Sequence, residues 1–296
     1  MGYRIVEVGN PADLRLHLRH LIVERDGTEV GRVPLEDMGV LLVDGPGIRL
    51  TRELLAACAA HTIAVVVSDE RHLPASVLMP LEGHSLHALV LRQQVAAAVP
   101  RQKQVWRQIV QAKLTAQAEL LQLRGLARPA REIHALVSAV QSGDPTNRES
   151  VGAAIYFGAL FGDAFTRDRD APGTNAMLNY GYAVLRATVA RALVATGLHP
   201  ALGICHHNRY NPLALADDVM EPVRPLVDRH VREMIDRAPP PAELDPPTKR
   251  DLLKFVECNL NIAGKQYPFA TGLEVYAASF KQALCETARR VTVPRP

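Results

Sequence analysis

A chain of 296 residues is long enough to form two domains, each with a core of its own. Its hydrophobic share of 48% and charged share of 22% are typical of a globular protein and exclude a wholly disordered chain. The net charge of +3 is too small to indicate a nucleic-acid partner by itself, so the placement of the charge matters more than its sum.

The N-terminus and the cysteines predict a soluble cytoplasmic protein. The first charged residue, Arg4, comes too early for a signal peptide. The most apolar long window, residues 187–204, is interrupted by Arg191 and Pro200, so no membrane span is predicted. The four cysteines have no C-x-x-C spacing, which argues against a zinc ribbon and against a secreted disulfide framework.

The N-terminal part of the chain is rich in strand patterns. Leucines alternate with polar residues from Leu14 to Arg19, which predicts a half-buried strand, and the apolar phase then changes, which predicts a bulge or bend at His20-Leu21. Asp26-Gly27 predicts a hairpin turn. Gly45-Pro46-Gly47 is a tight turn, because the rest of any phosphate-loop motif is missing. The remaining predicted elements are strands at residues 28–35, 39–43, 63–67 and 75–79 and a helix at residues 52–60.

The pattern becomes helical after Pro80-Leu81-Glu82-Gly83, and we expect a domain boundary between residues 84 and 85. The predicted fold class is α+β, with a small strand-rich N-terminal domain (1–84) followed by a larger all-α domain (85–296). Asp144-Pro145 predicts a helix start, with Asp as the N-cap and Pro at the first helical position. Further helices are predicted to end at Gly197 and to span residues 249–262 and 272–290.

Residues 101–131 carry seven basic side chains and one acidic side chain, Glu119, so that the local charge is +6. A solvated helix face is the ordinary interpretation of such a segment. The near absence of compensating acids instead favours a polyanion, and a phosphate backbone is the natural one. Contacts with a DNA backbone are therefore predicted at Arg101, Lys103, Arg107 and Lys113.

A second polar surface follows from helical spacing. Asn175, Asn179, Tyr182 and Arg186 are spaced i, i+4, i+7 and i+11, and so share one face of a helix. Glu and Lys would be expected on a face that only meets solvent, whereas this set suits hydrogen bonding to phosphates or to the ligands of a metal. We predict that Asn175, Tyr182 and Arg186 contact a DNA backbone. We predict a supporting role at a metal site for Asn179.

The stretch from Leu202 to Asp228 contains the densest group of metal-binding side chains. Two adjacent histidines, His206 and His207, precede a helical pattern that carries Asp217, Asp218, Glu221, Arg224 and Asp228. Imidazole and carboxylate this close together can share one hard or borderline metal ion. Glu149 lies far upstream. Taken alone, it is an ordinary acid in the first turn of a helix, where a carboxylate interacts favourably with the helix dipole.

Three motifs together resemble the family of CRISPR-associated protein one, the integrase and endonuclease of CRISPR adaptation. They are N-R-E-S at 147–150, N-x-x-L-N-Y-G-Y-x-x-L at 175–185, and the block from G-L-H-P at 197 through H-H-N to L-A-D-D-V-M-E-P-V-R-P-L-V-D, which ends at 228. The resemblance spans the chain and implies a strand-rich N-terminal domain, for dimerisation or partner docking, and an all-helical catalytic domain. The double histidine with Asn208 is most similar to the type II CRISPR branch.

The resemblance implies a metal site formed by Glu149, His206 and Glu221, with Asp in some relatives at the third position. His207 and Asp218 are then candidates for supporting contacts, and the other polar residues of the stretch are interpreted as supporting or solvated. Two carboxylates and one imidazole suit Mg²⁺ or Mn²⁺, whereas zinc more typically recruits additional His or Cys.

The implied activity is insertion of short foreign DNA, the protospacer, into the CRISPR array as antiviral defence. A DNA 3′-hydroxyl would attack a phosphodiester in strand transfer, and water would give nicking. The implied partners are double-stranded protospacer and leader–repeat DNA, a second copy of the chain, a small ferredoxin-like adaptation protein that bridges two dimers, and further type II CRISPR proteins. The alternatives are a metal-dependent phosphohydrolase or a nuclease of another family, and a non-catalytic DNA-binding scaffold.

Overall fold

The computed structural model describes residues 4–69, 74–80, 83–168 and 170–295. The described strands are β1 (Arg4–Val8), β2 (Ala12–His17), β3 (His20–Arg25), β4 (Thr28–Pro34), β5 (Met38–Val43), β6 (Ile48–Leu50), β7 (Ala64–Ser68), β8 (Pro74–Leu78), β9 (Asn259–Ile262) and β10 (Lys265–Pro268). The described helices are α1 (Arg52–Ala60), α2 (His87–Val95), α3 (Val99–Leu123), α4 (Ala127–Ala139), α5 (Arg148–Phe161), α6 (Thr174–Ala195), α7 (Ala214–Met220), α8 (Arg224–Arg237), α9 (Pro246–Leu252) and α10 (Phe269–Cys285). This order confirms the predicted α+β class, with a strand-rich N-terminal part and a helical remainder.

Two four-stranded sheets form the N-terminal part. The first has the order β1-β5-β7-β8, in which β1, β5 and β7 are parallel and β8 is antiparallel, and the second has the order β4-β3-β2-β6. Every residue of β5 is buried, which explains its unbroken apolar sequence. Leu41 and Val43 belong to a core within the N-terminal part. Val40 and Leu42 alternate with them and join the core of the helices.

Helix α6 connects the two parts of the molecule. It packs against β5 and β7 on one side and against α7, α8 and α10 on the others. Its sequence is therefore apolar almost all round, because a helix covered on every side has little need of a polar face. Helix α3 packs against α4, α5 and a 3₁₀ turn at Glu221–Val223. These two helices position the candidate site.

The predicted bend at His20-Leu21 is wrong, because the chain makes a complete hairpin there. Strands β2 and β3 pair in antiparallel fashion with His17 opposite His20, which leaves a two-residue turn at Leu18-Arg19. Both turn residues have positive φ, 44° and 63°. Such turns usually carry Asn or Gly, so Leu-Arg gives no sequence signal. The hairpin predicted at Asp26-Gly27 is confirmed, with Arg25 opposite Thr28.

The helix predicted at residues 249–262 is also wrong. Helix α9 ends at Leu252, a 3₁₀ turn follows at Leu253–Glu257, and β9 then pairs with β10. The hairpin turn is Ala263-Gly264, with φ of 52° and 81°. Helix α10 begins and ends earlier than predicted, at Phe269 and Cys285. The helical region therefore contains one small hairpin and is not purely α.

The division into two domains at residues 84 and 85 remains a proposal. Leu81 and Glu82, on which the predicted boundary was based, lie outside the described residues. The last N-terminal strand, β8, ends at Leu78, and α2 begins at His87. Among the described helices, none combines the length and the apolar character needed to cross a bilayer.

Candidate metal centre

Glu149 lies in the first turn of α5. Asn147 is the N-cap and accepts a hydrogen bond from the Ser150 N–H. The Asp144 carboxylate accepts hydrogen bonds from the backbone N–H groups of Arg148 and Glu149, at 2.9 and 3.0 Å. The predicted start at Asp144-Pro145 is therefore three residues too early, although Asp144 does satisfy two amides of the first turn. This local structure fixes the direction in which the Glu149 side chain leaves the helix.

Lys113 joins Glu149 to Glu221. It lies on α3 and is 7% exposed. Its Nζ is 2.7 Å from Glu149 Oε1 and 2.5 Å from Glu221 Oε2. Burial by itself lowers the pKa of the lysine, but the charges of Glu221 and Glu149 outweigh burial, and the pKa is raised. One charged ammonium group therefore holds two carboxylates that come from different parts of the chain.

Glu221 is 2% exposed and opens the 3₁₀ turn between α7 and α8. Its Oε1 accepts a hydrogen bond from Arg224 Nη1 at 2.5 Å. Its Oε2 approaches Lys113 as an ion pair but receives no well-directed hydrogen bond. Burial alone raises the pKa of Glu221, yet Arg224 and Lys113 outweigh it and hold the pKa well below its ordinary value. The buried carboxylate is therefore ionised at neutral pH.

Asp218 organises the loop that carries His206. Its fully buried carboxylate accepts hydrogen bonds from the backbone N–H groups of Ile204, Cys205 and His206, at 2.6, 3.0 and 3.2 Å. A Cβ atom at Gly203 would lie 2.4 Å from the His206 carbonyl oxygen, so this turn requires glycine. The tight loop and the buried acid together determine where the imidazole lies.

The His206 ring is held at one of its two nitrogens. Nδ1 lies 2.5 Å from Asp218 Oδ1, and the edge of Trp106 packs against the ring at a centroid distance of 5.9 Å. The hydrogen bond to Asp218 raises the pKa of His206 against the effect of burial, and the charges of Glu221 and Glu149 raise it further. The Asp218 contact leaves Nε2 as the ring atom for a ligand, as in many metal-binding histidines.

The structure thus brings the three predicted ligands into one neighbourhood. Glu149 and Glu221 share the Lys113 ammonium, and His206 lies close enough for both carboxylates to act on its pKa. Within the described part of the chain, however, no group of three or more His, Cys, Asp or Glu side chains is arranged to hold a metal ion as it stands. Lys113 lies between the two carboxylates, where such an ion would have to bind.

The prediction that Lys113 contacts a DNA backbone is not supported, because this side chain is buried. The position of Lys113 on α3 is the sequence signal that indicates its burial. Lys113 follows Trp106 by seven residues and Val110 by three, so it falls on the buried stripe of the helix. A basic residue on such a stripe needs buried acids as partners. The sequence does not show which acids these are, because they lie 36 and 108 residues away.

The polar face of α6 is used inside the protein. Tyr182 is 6% exposed and donates its hydroxyl hydrogen to Asp228, which also accepts a hydrogen bond from Tyr156 at 2.9 Å. Asn175 Oδ1 accepts a hydrogen bond from Arg167 at 2.8 Å. The predicted contacts of Tyr182 and Asn175 with a DNA backbone are therefore not supported. Asp228 is buried, so the solvated one of its two predicted roles, supporting or solvated, is wrong.

Arg167 also binds the other asparagine of this face. Its guanidinium donates a hydrogen bond to Asn179 Oδ1 at 2.5 Å. Asn179 therefore holds a loop rather than one of the three predicted ligands. Arg186 is partly exposed and forms a two-pronged ion pair with Asp217, at 2.6 and 2.9 Å. Asp217 thus holds Arg186, which is compatible with the first of its two predicted roles, supporting or solvated.

The rest of the basic segment is less positive than its sequence indicates, because acids outside residues 101–131 pair with it, one from another helix and one from the next turn of α4. Arg124 pairs with Asp236 at 2.5 Å, and Arg128 pairs with Glu132 at 3.0 Å. Arg101 donates a hydrogen bond to the backbone carbonyl of Glu286. Lys103 is exposed, and Arg107 is partly buried with an Nε that has no hydrogen-bond acceptor. Lys103 and Arg107 therefore remain the best candidates for DNA contact in this segment.

His206 and Glu221 open onto a cleft of about 1120 Å³. Its wall includes the guanidinium groups of Arg167, Arg186 and Arg224. The exposed His207, predicted to have a supporting role, also lines the cleft. One end of the candidate site is therefore accessible to a large anionic molecule, whereas Lys113 lies behind it in the helical core.

Comparison with known proteins identifies the family. The profile of the family described as CRISPR associated protein Cas1 matches residues 8–241. A CRISPR-associated endonuclease Cas1 of Neisseria meningitidis serogroup C (strain 8013) is 36% identical over 295 residues, which cover 99% of this chain and 96% of the relative. The chain belongs to the Cas1 family.

Solved structures show the Cas1 fold at lower sequence identity. A casposase bound to an integration product has a TM-score of 0.79 at 18% identity, covering 99% of this chain and 93% of that chain. A chain of a Cas6-RT-Cas1–Cas2 complex has a TM-score of 0.75 at 19% identity, covering 96% of this chain and 35% of that chain. Since both identities are low, these two likenesses concern the fold.

The donor atoms of this Cas1-family chain fit a divalent metal ion. Glu149 and Glu221 supply carboxylate oxygens, and His206 supplies an imidazole nitrogen, a set that suits Mg²⁺ or Mn²⁺ better than a structural zinc. Glu221 Oε2 is buried without a directed hydrogen bond, as expected of an oxygen that can accept a cation. The set fits once the Lys113 ammonium moves aside.

Changing Asp218 tests how this Cas1-family site is organised. We expect Asp218→Asn to weaken Mn²⁺ binding about 10- to 100-fold, because the amide cannot accept all the hydrogen bonds that fix His206 and its loop. The measurement is a Mn²⁺ titration followed by electron paramagnetic resonance. Asp217→Asn is the matched control, since that neighbour binds Arg186 and does not touch His206. Equal affinities in the two variants would contradict this role for Asp218.

Proposed function

We propose that this chain cuts and joins DNA strands at a metal centre formed by Glu149, His206 and Glu221. As a member of the Cas1 family, it is a CRISPR-adaptation integrase and endonuclease. One observation carries the assignment of the site: two carboxylates from separate elements converge on Lys113, next to a histidine whose Nδ1 is fixed by a buried acid. Such a convergence of charged groups is typical of functional sites.

A bound Mg²⁺ or Mn²⁺ ion would polarise a phosphodiester and stabilise charge on the attacking and leaving oxygens. The protein's own groups do the positioning. Asp218 orients the His206 ring, and Arg224 holds one oxygen of Glu221. Arg186 lies in the cleft wall, where a guanidinium can bind phosphate oxygens. A DNA 3′-hydroxyl as nucleophile gives strand transfer, and water gives nicking.

The partners we propose are protospacer and leader–repeat DNA, a second copy of the chain and a small ferredoxin-like adaptation protein that bridges two dimers. The fold likeness to a Cas6-RT-Cas1–Cas2 complex and to a casposase with its integration product supports DNA and Cas proteins as partners. We assign docking and dimerisation to residues 1–84 and propose a type II CRISPR system and a cytoplasmic location. The H-H-N motif and the unpaired cysteines support the last two.

The alternative functions have less support. A phosphohydrolase for small phosphoesters would need an enclosed pocket, whereas His206 and Glu221 lie in a large open cleft with several guanidinium groups. A non-catalytic scaffold would be expected to lack one of the three ligands, and all three are present. Membership of the Cas1 family also favours the nuclease and integrase.

The function is tested by a strand-transfer assay. Purified chain and the adaptation partner are mixed with a short duplex that has free 3′-hydroxyls, a supercoiled plasmid with a CRISPR repeat, and Mn²⁺. We expect His206→Ala to reduce joined and nicked products at least about 100-fold, since a metal ligand is lost. His134→Ala is the control, since this exposed histidine on α4 does not line the cleft, and the variant should retain activity within a fewfold of the unmodified chain. Products that survive in His206→Ala would refute the proposed mechanism.

A further inference from the structure

A buried lysine occupies the meeting point of the two carboxylates in the proposed metal centre. The side chain of Lys113 is 9% exposed, and its ammonium contacts Glu149 Oε1 and Glu221 Oε2. We propose that Lys113 is an internal counter-ion that competes with the metal ion for these two carboxylates. It thereby stabilises the metal-free fold and lowers the metal affinity of the DNA-free chain. This inference rests on the proposed function, because it assumes that Glu149 and Glu221 are metal ligands.

The competition follows from which oxygens are already in use. Both oxygens of Glu221 face a cation, since Arg224 Nη1 lies 2.5 Å from Oε1 and Lys113 Nζ lies 2.5 Å from Oε2. A metal ion that bound Glu221 and Glu149 together would need the oxygens that Lys113 now contacts. One of the two cations must therefore move before the ion can bind.

Lys113 is the cation that moves. Arg224 donates a hydrogen bond to Glu221 and packs over the ring of Tyr182 at 4.2 Å, so two contacts hold its guanidinium. Lys113 donates a hydrogen bond to Glu149 at 2.7 Å, but its contact with Glu221 lacks the geometry of a hydrogen bond. A lysine also has a flexible four-carbon stem, whereas the arginine group is planar and keeps its fixed pattern of donors.

The net charge of the site also indicates that one cation must move before a metal ion binds. The carboxylates of Glu149 and Glu221 offset the charges of Lys113 and Arg224, so this group of four, of which Lys113 and Glu221 are buried, is neutral. A divalent ion added beside both cations would leave a surplus of two positive charges in a poorly solvated region, where like charges repel strongly. Removal of the lysine charge should therefore favour metal binding, although it destabilises the metal-free chain.

The test compares two buried lysines. Lys113→Met keeps the unbranched stem and removes the charge, and Lys249→Met does the same for a lysine paired with Asp44 at 2.7 Å, in another part of the fold. Mn²⁺ binding to the DNA-free chain is titrated by electron paramagnetic resonance, and Tm is measured in EDTA and in Mn²⁺. We expect both variants to have a lower Tm in EDTA. Lys113→Met alone should bind Mn²⁺ at least about tenfold more tightly and regain Tm when Mn²⁺ is added.

Equal or weaker Mn²⁺ affinity in Lys113→Met would overturn the inference. A Lys113→Met chain that folds only with Mn²⁺ would support it. If that variant fails to fold in both conditions, Lys113→Gln decides by the same measurements, because its neutral amide still donates hydrogen bonds to the carboxylates. Glu221→Gln separates the two proposals: failure of this variant to weaken Mn²⁺ binding would refute the metal site itself, whatever Lys113 does.

Discussion

Replacing Glu221 with Gln is expected to destabilise the metal-free chain by about 3–5 kcal/mol, because the buried Lys113 ammonium loses one of its two carboxylates and Arg224 loses the carboxylate that it binds. Glu221 is 2% exposed, so solvent cannot replace the lost interaction. The same change should abolish metal-dependent DNA cleavage and joining, since a ligand is lost. The free energy of unfolding is obtained from urea denaturation in EDTA, and activity is obtained from the strand-transfer assay.

Glu149→Gln is the matched control for this change. Its side chain is 22% exposed, and among the described residues Lys113 is its one ion-pair partner, so water can compensate for part of the lost charge. We expect it to abolish activity just as Glu221→Gln does, with a clearly smaller loss of stability. Equal destabilisation by the two variants would contradict the account of Glu221 as the carboxylate held between two cations.

Replacing Asp228 with Asn is expected to change how stability depends on pH. Burial, opposed by hydrogen bonds from Tyr182 and Tyr156, raises the pKa of Asp228 from 3.8 to about 6. A raised pKa in the folded state means that Asp228 contributes stability below pH 4, which is lost as the pH rises through 6. The unmodified chain should therefore lose about 2 kcal/mol relative to Asp228→Asn between pH 4 and pH 7.

Urea denaturation of both chains at several pH values measures this difference. Asp236→Asn is the control with the opposite sign, because hydrogen bonds from Arg232 and Arg124 lower the pKa of that exposed carboxyl. The stability lost in Asp236→Asn should shrink as the pH falls. Parallel stability curves for Asp228→Asn and the unmodified chain would show that Asp228 has an ordinary pKa and would refute its assigned environment.

Local patterns in the sequence were sufficient for much of the fold. The Asp26-Gly27 turn, the capped helix that begins at Arg52 and the apolar strand at residues 63–67 were all expected from spacing and turn chemistry. The turns at Leu18-Arg19 and Ala263-Gly264 were missed. In the first, neither residue favours positive φ, so only the pairing of the flanking strands reveals the hairpin. In the second, the glycine lies just beyond the helix predicted to end at residue 262, and a glycine there does not distinguish a helix end from a hairpin turn.

The candidate site was likewise predictable only in part from the sequence. The motifs indicated Glu149, His206 and Glu221, but the carboxylate contacts of Lys113 depend on tertiary packing. A count of charges along residues 101–131 treated Lys113 as a surface residue. Acids brought near by folding, such as Asp236 beside Arg124, were invisible to that count. The sequence indicates a supporting contact for Asp218 but not its partner, which the structure shows to be His206.

A structure of the chain determined with Mn²⁺ and a DNA duplex tests the central claim most directly. Anomalous scattering from manganese locates the ion without assumptions about its ligands. We expect one peak at about 2.0–2.3 Å from a Glu149 oxygen, a Glu221 oxygen and His206 Nε2, with the Lys113 ammonium displaced from between the carboxylates. A peak elsewhere, or no peak while Lys113 still bridges Glu149 and Glu221, would contradict it.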